Sequence, residues 1–162
     1  MKNENCIISP ERRKRFETQG YKGFTDAELN DFKFGIRFAY YLCGSIVVLG
    51  LLLTDIRILA VAMVVAFFGS FPPYHPFDYL YNYAFRHLFN KPMIPPRTSQ
   101  GRFACIIATF WMGGVIALFY FGLNIWGYIA GGFLVSIATL VATVDICIPS
   151  MIYNFLFLRK KG

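Results

Sequence analysis

The dominant feature of the chain is an uncharged, mostly apolar run from Phe103 to Val144. It holds 42 residues, twice the roughly 20 residues that a helix needs to cross a bilayer. A turn signal, Gly122 to Gly127, lies at its middle. The run therefore predicts a transmembrane helical hairpin, with spans at about 102–122 and 125–147.

Two further uncharged runs, Phe38–Thr54 and Ile58–Tyr74, precede this hairpin, and each has 17 residues. That length is at the short end of what crosses a bilayer. Only residues 55–57 separate the runs, so their helices must be antiparallel neighbours. We expect spans at about 36–54 and 57–73, and therefore an all-α membrane protein with four transmembrane helices arranged as two hairpins.

The segments outside the spans have distinct predicted structures. Residues 1–24 are basic and are expected to form a loosely ordered cytoplasmic tail, and the bundle is expected to occupy residues 25–162. Thr25 and Glu28 have the spacing of a capping box, which marks a helix start. This helix either lies on the membrane surface or runs directly into the first span. The aromatic segment at about 77–90 predicts an amphipathic helix in the membrane interface.

Positive charge predicts the orientation of the bundle. Of 16 Lys and Arg residues, eight lie in the segment ending at Arg37, four between His75 and Arg102, and three after Leu158. By the positive-inside rule, both termini and the central loop face the cytoplasm, and the protein is expected in a bacterial inner membrane. Orientation and attraction to anionic lipids at the cytoplasmic face account for the net charge of +7, so a nucleic-acid partner is not expected.

The two predicted hairpins carry the signs of an internal repeat. Each opens with Arg-Phe-Ala and is followed by Tyr-Asn-aromatic, at residues 37–39 and 81–83 in the first half and at residues 102–104 and 153–155 in the second. At an offset of 72 residues, His75 aligns with Cys147. The pattern predicts two parallel hairpins related by an axis along the membrane normal.

Small residues at four-residue spacing predict where helices approach closely. Such stripes lie at 62, 66 and 70 in the second span and at 127, 131, 132 and 136 in the fourth. They indicate that the second and fourth spans make the tight helix contacts.

Asp145 is the most informative polar residue near the spans, because a carboxylate in a membrane helix costs on the order of 3 kcal/mol at the bilayer centre. It needs a cationic partner at similar depth. Arg37 and Arg102, at the starts of the first and third spans, are both candidates. A structural ion pair is the expected outcome.

Cys105 and Cys147 both lie near the cytoplasmic ends of their spans and are the candidate catalytic thiols. Standing disulfides are not expected on that side of the membrane. Cys43 is roughly 9 Å deeper than Arg37 along its helix and is interpreted as a small buried hydrophobe. Cys6 lies on the tail and carries no prediction.

A supporting polar face completes the candidate site. A thiolate is the form of cysteine that attacks disulfides, carries a persulfide or binds soft metals, and a nearby arginine favours it. His75 is either part of this face or a helix cap. No CxxC spacing is present, so neither a metal nor a cofactor is expected, and two unreactive cysteines remain the alternative. The supporting residues are His75, Asp78, Asp145, Arg37 and Arg102.

Three motifs resemble those of a family of small bacterial four-helix membrane proteins catalogued as a domain of unknown function. They lie at residues 75–82, 95–105 and 145–150, and the resemblance covers about residues 33–158. Some relatives carry CxxC at the last motif, and some are associated with thioredoxin-like or rhodanese-like domains, which implies thiol or sulfur traffic. Here Ser150 replaces the second cysteine, so Cys105 is left as the resolving partner of Cys147.

Three functions remain open from the sequence. The first is a thiol or sulfur relay at the cytoplasmic face, working with a soluble thioredoxin-like or rhodanese-like partner. The second is a non-catalytic accessory or scaffold subunit in a complex with other membrane proteins. The third, a small transporter of a sulfur species or metal ion, would require a polar path that the spans do not offer.

Overall fold

The computed structural model describes residues 8–88 and 90–158, and this part of the chain is helical without strands. Two short π-helical segments follow α4 and α8, at Tyr81–Phe85 and Asn154–Leu158. The α-helices are α1 (Pro10–Thr18), α2 (Asp26–Leu53), α3 (Ile56–Phe68), α4 (Pro76–Leu80), α5 (Arg86–Leu88), α6 (Ser99–Tyr120), α7 (Asn124–Val144) and α8 (Ile148–Tyr153).

Three of these helices, α2, α6 and α7, are long and apolar enough to cross a membrane. The chain therefore has the character of a membrane protein. The helix of the predicted second span, 57–73, is shorter than expected, since α3 has 13 residues and ends at Phe68. Pro72 and Pro73 follow shortly after, and proline removes a donor that a continuing helix would need.

α2 begins at the predicted capping box and runs without a break to Leu53. The Thr25 hydroxyl accepts from the Glu28 amide, and the Glu28 carboxylate accepts from the Thr25 amide at 2.8 Å. These two bonds satisfy donors that a helix start otherwise leaves free. Of the two alternatives for this helix, the structure shows the one that continues directly into the first apolar run.

The helices α2, α3, α6 and α7 form a ring in which each packs against two others. α3 packs against α2 and α6, and α7 packs against α2 and α6. The second and fourth spans were predicted to make the tight contacts, and α3 and α7 make them mainly with α2 and α6 rather than with each other. A Cβ on Gly131 would meet Leu51 of α2, and one on Gly127 would meet Phe119 of α6. The buried core of the ring consists of Val47, Leu59, Ala62, Met112, Val115 and Phe119.

The internal repeat is visible in this architecture. In the repeat, α2 corresponds to α6 and α3 corresponds to α7. A twofold axis along the bundle would therefore turn the contact between α2 and α7 into the contact between α6 and α3, and both contacts are present. α4 and α8 each start after a break and each continue into a π-helical segment. Their N-cap residues are His75 and Cys147, the pair that the sequence offset aligns.

The N-terminal segment is more ordered than the predicted loose tail of residues 1–24, of which residues 1–7 lie outside the described residues. α1 packs its fully buried Phe16 with Tyr21, Leu29 and Ile36. Ser9 caps this helix and Pro10 opens it, both favoured at a helix start. The segment docks because its few apolar side chains cover the start of α2.

Candidate functional site

The three described cysteines line one cavity of about 260 Å³. Its walls come mainly from α2, α6, α7 and the start of α8, and most of its lining is apolar. Besides the cysteines, the hydrogen-bonding side chains at its lining include Tyr40, His75 and Arg97. The fold therefore places the three described thiols around one cavity.

Cys105 and Cys147, the predicted catalytic thiols, are 8% and 4% exposed and both line this cavity. Cys147 lies at the break between α7 and α8, as the N-cap of α8. Burial raises the pKa of the Cys147 thiol, so the thiolate form is disfavoured. The predicted pair shares a site, and its members are thiols at rest.

Cys43 also belongs to this site, which the sequence did not predict. Its Sγ lies 3.9 Å from Nε2 of His75, and both residues line the cavity. The depth of Cys43 along α2 suggested a residue far from the polar end. The turn after α3 carries His75 back against the bundle, where a Cβ on Gly69 would collide with its ring. No sequence spacing reveals this approach.

His75 caps α4 rather than the end of α3. Its Nδ1 accepts from the Phe77 amide at 3.2 Å, and its own amide donates to the Asp78 carboxylate at 3.0 Å. Because Nδ1 accepts, the neutral ring carries its proton on Nε2. Burial lowers the pKa of His75 to about 3, which keeps the ring neutral. His75 therefore presents an Nε2–H donor toward Cys43.

Asp78 is held by Arg97, a residue that sequence reasoning did not select. Arg97 Nε donates to Asp78 Oδ2 at 2.6 Å and Nη2 to Oδ1 at 3.0 Å. The guanidinium also lies over the Tyr40 ring, 5.2 Å from its centroid. The sequence feature that could have identified Arg97 is its place in the Pro-Pro-Arg motif at 95–97. Arg97 thus brings a cation to the cavity, and Asp78 balances its charge.

Asp145 forms the expected structural ion pair, and its partner is Arg37. The Nε of Arg37 donates to Oδ1 at 2.7 Å, and Nη2 donates to Oδ2 at 2.5 Å. Arg12 of α1 adds a longer contact of 3.4 Å. Arg102, the other candidate, makes no such pair, and its buried Nε lacks a hydrogen-bond partner within the described ranges. Arg37, Arg102 and Asp145 do not line the cavity.

The end of α7 is capped by a set of long polar side chains. The last carbonyls of a helix have no partner within it, and Asp145 leaves the helix with a left-handed φ of 61°. Each of the four successive carbonyls accepts one side-chain bond at 2.8–3.0 Å. The donors to residues 142, 143, 144 and 145 are Tyr41, Arg37, Arg15 and Gln19.

These contacts divide the predicted polar face into two parts. Asp78 contacts His75 and Arg97, which both line the cavity. Asp145 and Arg37 instead cap the end of α7. Within residues 8–88 and 90–158, no group of three or more His, Cys, Asp or Glu side chains could hold a metal ion. The cavity can therefore offer thiols, the neutral donors of His75 and Tyr40, and one paired cation to whatever enters it.

Comparison with known proteins gives a family without an activity. A family model described as a domain of unknown function, DUF4395, matches residues 33–157. No curated protein matches the chain, and no solved structure does. The matched range includes the three cavity cysteines with His75, Asp78 and Arg97, and it leaves out α1. The chain belongs to the DUF4395 family.

Proposed function

We propose that the chain is a four-span protein of the bacterial inner membrane with both termini in the cytoplasm. α3 rises about 20 Å, and the chain stays uncharged beyond it to Tyr74, which supports a fourth, shorter crossing. The distribution of positive charge supports the orientation. A green fluorescent protein fused after Gly162 is expected to fluoresce. A fusion that is dark and that is accessible from the periplasm would overturn this topology.

The function proposed for the cavity is a thiol or sulfur relay with a soluble partner. The observation that carries it is the gathering of Cys43, Cys105 and Cys147 around one internal space. Cys147, at the break before α8, is the thiol that a partner at the cytoplasmic face would meet first. Thioredoxin-like and rhodanese-like proteins are the partner classes that carry such chemistry.

The relay begins with attack by a cysteine thiolate on an S–S bond of the partner. The Cys147 thiol first loses its proton to water. A new S–S bond then forms to Cys147, the bond within the partner breaks, and the electron pair leaves on the partner's other sulfur. That sulfur takes up a proton and becomes a thiol. No separate oxidant is required, because the partner's S–S bond supplies the oxidising equivalents.

The fate of the new bond depends on the partner. With a disulfide partner, the Cys105 thiolate attacks Cys147, forms an internal disulfide and releases the partner as a dithiol. With a persulfide partner, the outer sulfur moves to Cys147 and the partner's own cysteine is released. The second reaction requires one cysteine in this chain, and the first requires two.

Two arms of one experiment test the relay. The full chain in detergent is incubated with an oxidised thioredoxin-like protein or with a persulfidated rhodanese-like protein, and its cysteines are analysed by mass spectrometry. We expect an internal disulfide in the first arm that both Cys105→Ser and Cys147→Ser abolish. In the second arm we expect a persulfide that Cys147→Ser alone abolishes. Cys6→Ser is the control that leaves both unchanged.

Unmodified cysteines in both arms, or modification that survives both substitutions, would overturn the relay.

The same result would favour the second candidate function, that of an accessory or scaffold subunit. The observation in its favour is that burial raises the pKa of Cys147, as expected for an unreactive, packed cysteine. Purification in mild detergent tests it, since a scaffold is expected to recover other membrane proteins in fixed ratio and a relay is not.

A further inference from the structure

The Nε2–H group of His75 is a buried donor whose recorded acceptor is a weak one. His75 is 2% exposed, and its Nδ1 already accepts from the Phe77 amide. Among residues 8–88 and 90–158, the only partner of Nε2 is the Cys43 sulfur at 3.9 Å. Sulfur is a weak acceptor, and burying a donor without a strong acceptor is unfavourable. An acceptor entering the cavity would remove that cost.

The charges around the cavity balance to zero. Arg97 is the cation at its lining, and both oxygens of Asp78 accept from it. Burial lowers the pKa of His75 to about 3 and raises that of Cys147, so both groups are neutral. An anionic ligand would have to compete with Asp78 for the guanidinium, and burial of an unpaired charge is costly. The site therefore suits an uncharged ligand.

The remaining walls of the cavity are apolar and partly aromatic. Trp111 and Phe133 line it and stack on each other, with ring centroids 5.4 Å apart. Its volume of about 260 Å³ is just below the roughly 300 Å³ where drug-sized ligand pockets begin. A single flat ring fits these dimensions better than a large cofactor does.

We propose that this cavity binds a lipid-soluble quinone, with one ring carbonyl accepting a hydrogen bond from His75 Nε2. A quinone is uncharged, carries carbonyl acceptors on a flat ring and dissolves in the bilayer that surrounds the helices. The ring lies against the apolar walls beside Trp111. Binding holds whether or not the thiols take part in a relay.

Tryptophan fluorescence provides the test, because quinones quench nearby indoles. The chain has two tryptophans: Trp111 lines the cavity, whereas Trp126 is 62% exposed and lies outside it. The probe is a decyl benzoquinone with every ring position substituted, so that thiols cannot add to it. In full-length Trp126→Phe protein in micelles, we expect saturable quenching. In Trp111→Phe protein, we expect only the linear quenching of a probe that partitions into detergent.

Two substitutions of His75 distinguish its role as a hydrogen-bond donor in the cavity from its role as the N-cap of α4. His75→Asn keeps an acceptor for the Phe77 amide but is too short to present a donor at the Nε2 position, and we expect about tenfold weaker binding. His75→Gln places an amide donor near Nε2, so binding within about threefold of the parent is expected. Ala138→Phe fills the cavity wall and is expected to abolish saturable quenching even if the His75 variants fold poorly.

Decanoate is the matched ligand control, because it has the chain but carries a negative charge. We expect it not to displace the quinone probe. Linear quenching of Trp111, undiminished affinity in folded His75→Asn protein, or displacement by decanoate at equal concentration would each overturn the proposal. These outcomes are distinguishable from those of the relay, since the relay is read as modification of cysteines and quinone binding is read as quenching of Trp111.

Discussion

Arg97 and Asp78 form a two-point ion pair with side chains only 6% and 2% exposed. The pair joins the extended segment before α6 to the first turn of α4, and the Arg97 amide also donates to the Pro73 carbonyl at 2.6 Å. Since Asp78 in turn accepts from the His75 amide, one carboxylate holds both the cation and the histidine of the cavity. Its removal is expected to affect the whole site.

Asp78→Asn should destabilise the protein by about 3–5 kcal/mol, because it leaves the Arg97 charge buried without a partner. The measurement is the free energy of unfolding in mixed micelles titrated with dodecyl sulfate. The matched control is Asp31→Asn, which breaks an ion pair with Lys91 whose side chains are 50% and 40% exposed. That change should cost less than about 1 kcal/mol. Equal losses would show that the buried pair contributes no more than a surface contact.

Arg37 and Asp145 should show strong coupling in a double-mutant cycle. Arg37→Gln leaves the buried Asp145 with only the longer contact to Arg12, and Asp145→Asn leaves the mostly buried Arg37 without a carboxylate, so each is expected to cost several kcal/mol. The double variant should cost less than the sum of the two by about 1–3 kcal/mol. The same unfolding titration measures it. Strict additivity would mean that Arg12, 3.4 Å from Asp145, replaces Arg37 without loss.

His75 should make the protein less stable at acidic pH. Its pKa is about 3 in the folded chain and near 6.5 when unfolded, so between these values the unfolded chain binds the extra proton. Its contribution is full above pH 6.5 and decreases by about 1.4 kcal/mol per pH unit as the pH falls toward 3. Melting temperatures of the parent and of His75→Asn, measured across this range, give the difference.

Carboxylates titrate in the same range, but both proteins contain them, so the difference between the two curves isolates His75. His75→Asn should lose less stability on acidification than the parent does. His87→Asn, which replaces the exposed second histidine, is the control and should follow the parent curve. Parallel curves for the parent and His75→Asn would mean that His75 is solvated in the folded protein.

Two glycines of α2 should respond oppositely to alanine. A Cβ on Gly35 would collide with Ile94 and would lie 2.7 Å from the Tyr81 ring, and both residues are buried. Gly35→Ala should therefore cost about 1–3 kcal/mol. A Cβ on Gly44 would meet only Ala138, at 4.0 Å, so Gly44→Ala should be neutral or stabilising by up to about 1 kcal/mol. Unfolding titrations that rank the two variants in the reverse order would contradict this packing.

The local features of the chain could be predicted from the sequence because their causes are local. The apolar runs predicted the long helices, and the Thr25 and Glu28 capping box predicted the start of α2. The need of Asp145 for a cation reduced its partners to two residues. The repeat offset paired His75 with Cys147 before any contact was known. Each of these rests on hydropathy, helix geometry or a hydrogen bond within a few residues.

The contacts between distant segments were decided only by tertiary structure. The sequence left Arg37 and Arg102 equal as partners of Asp145, overlooked Arg97 and treated Cys43 as packing. The approach of Cys43 to His75 depends on how far the turn after α3 folds back and on how each helix is rotated about its own axis within the ring. Those quantities come from packing many side chains at once, so hydropathy predicts a membrane bundle, and only the packed ring defines its cavity.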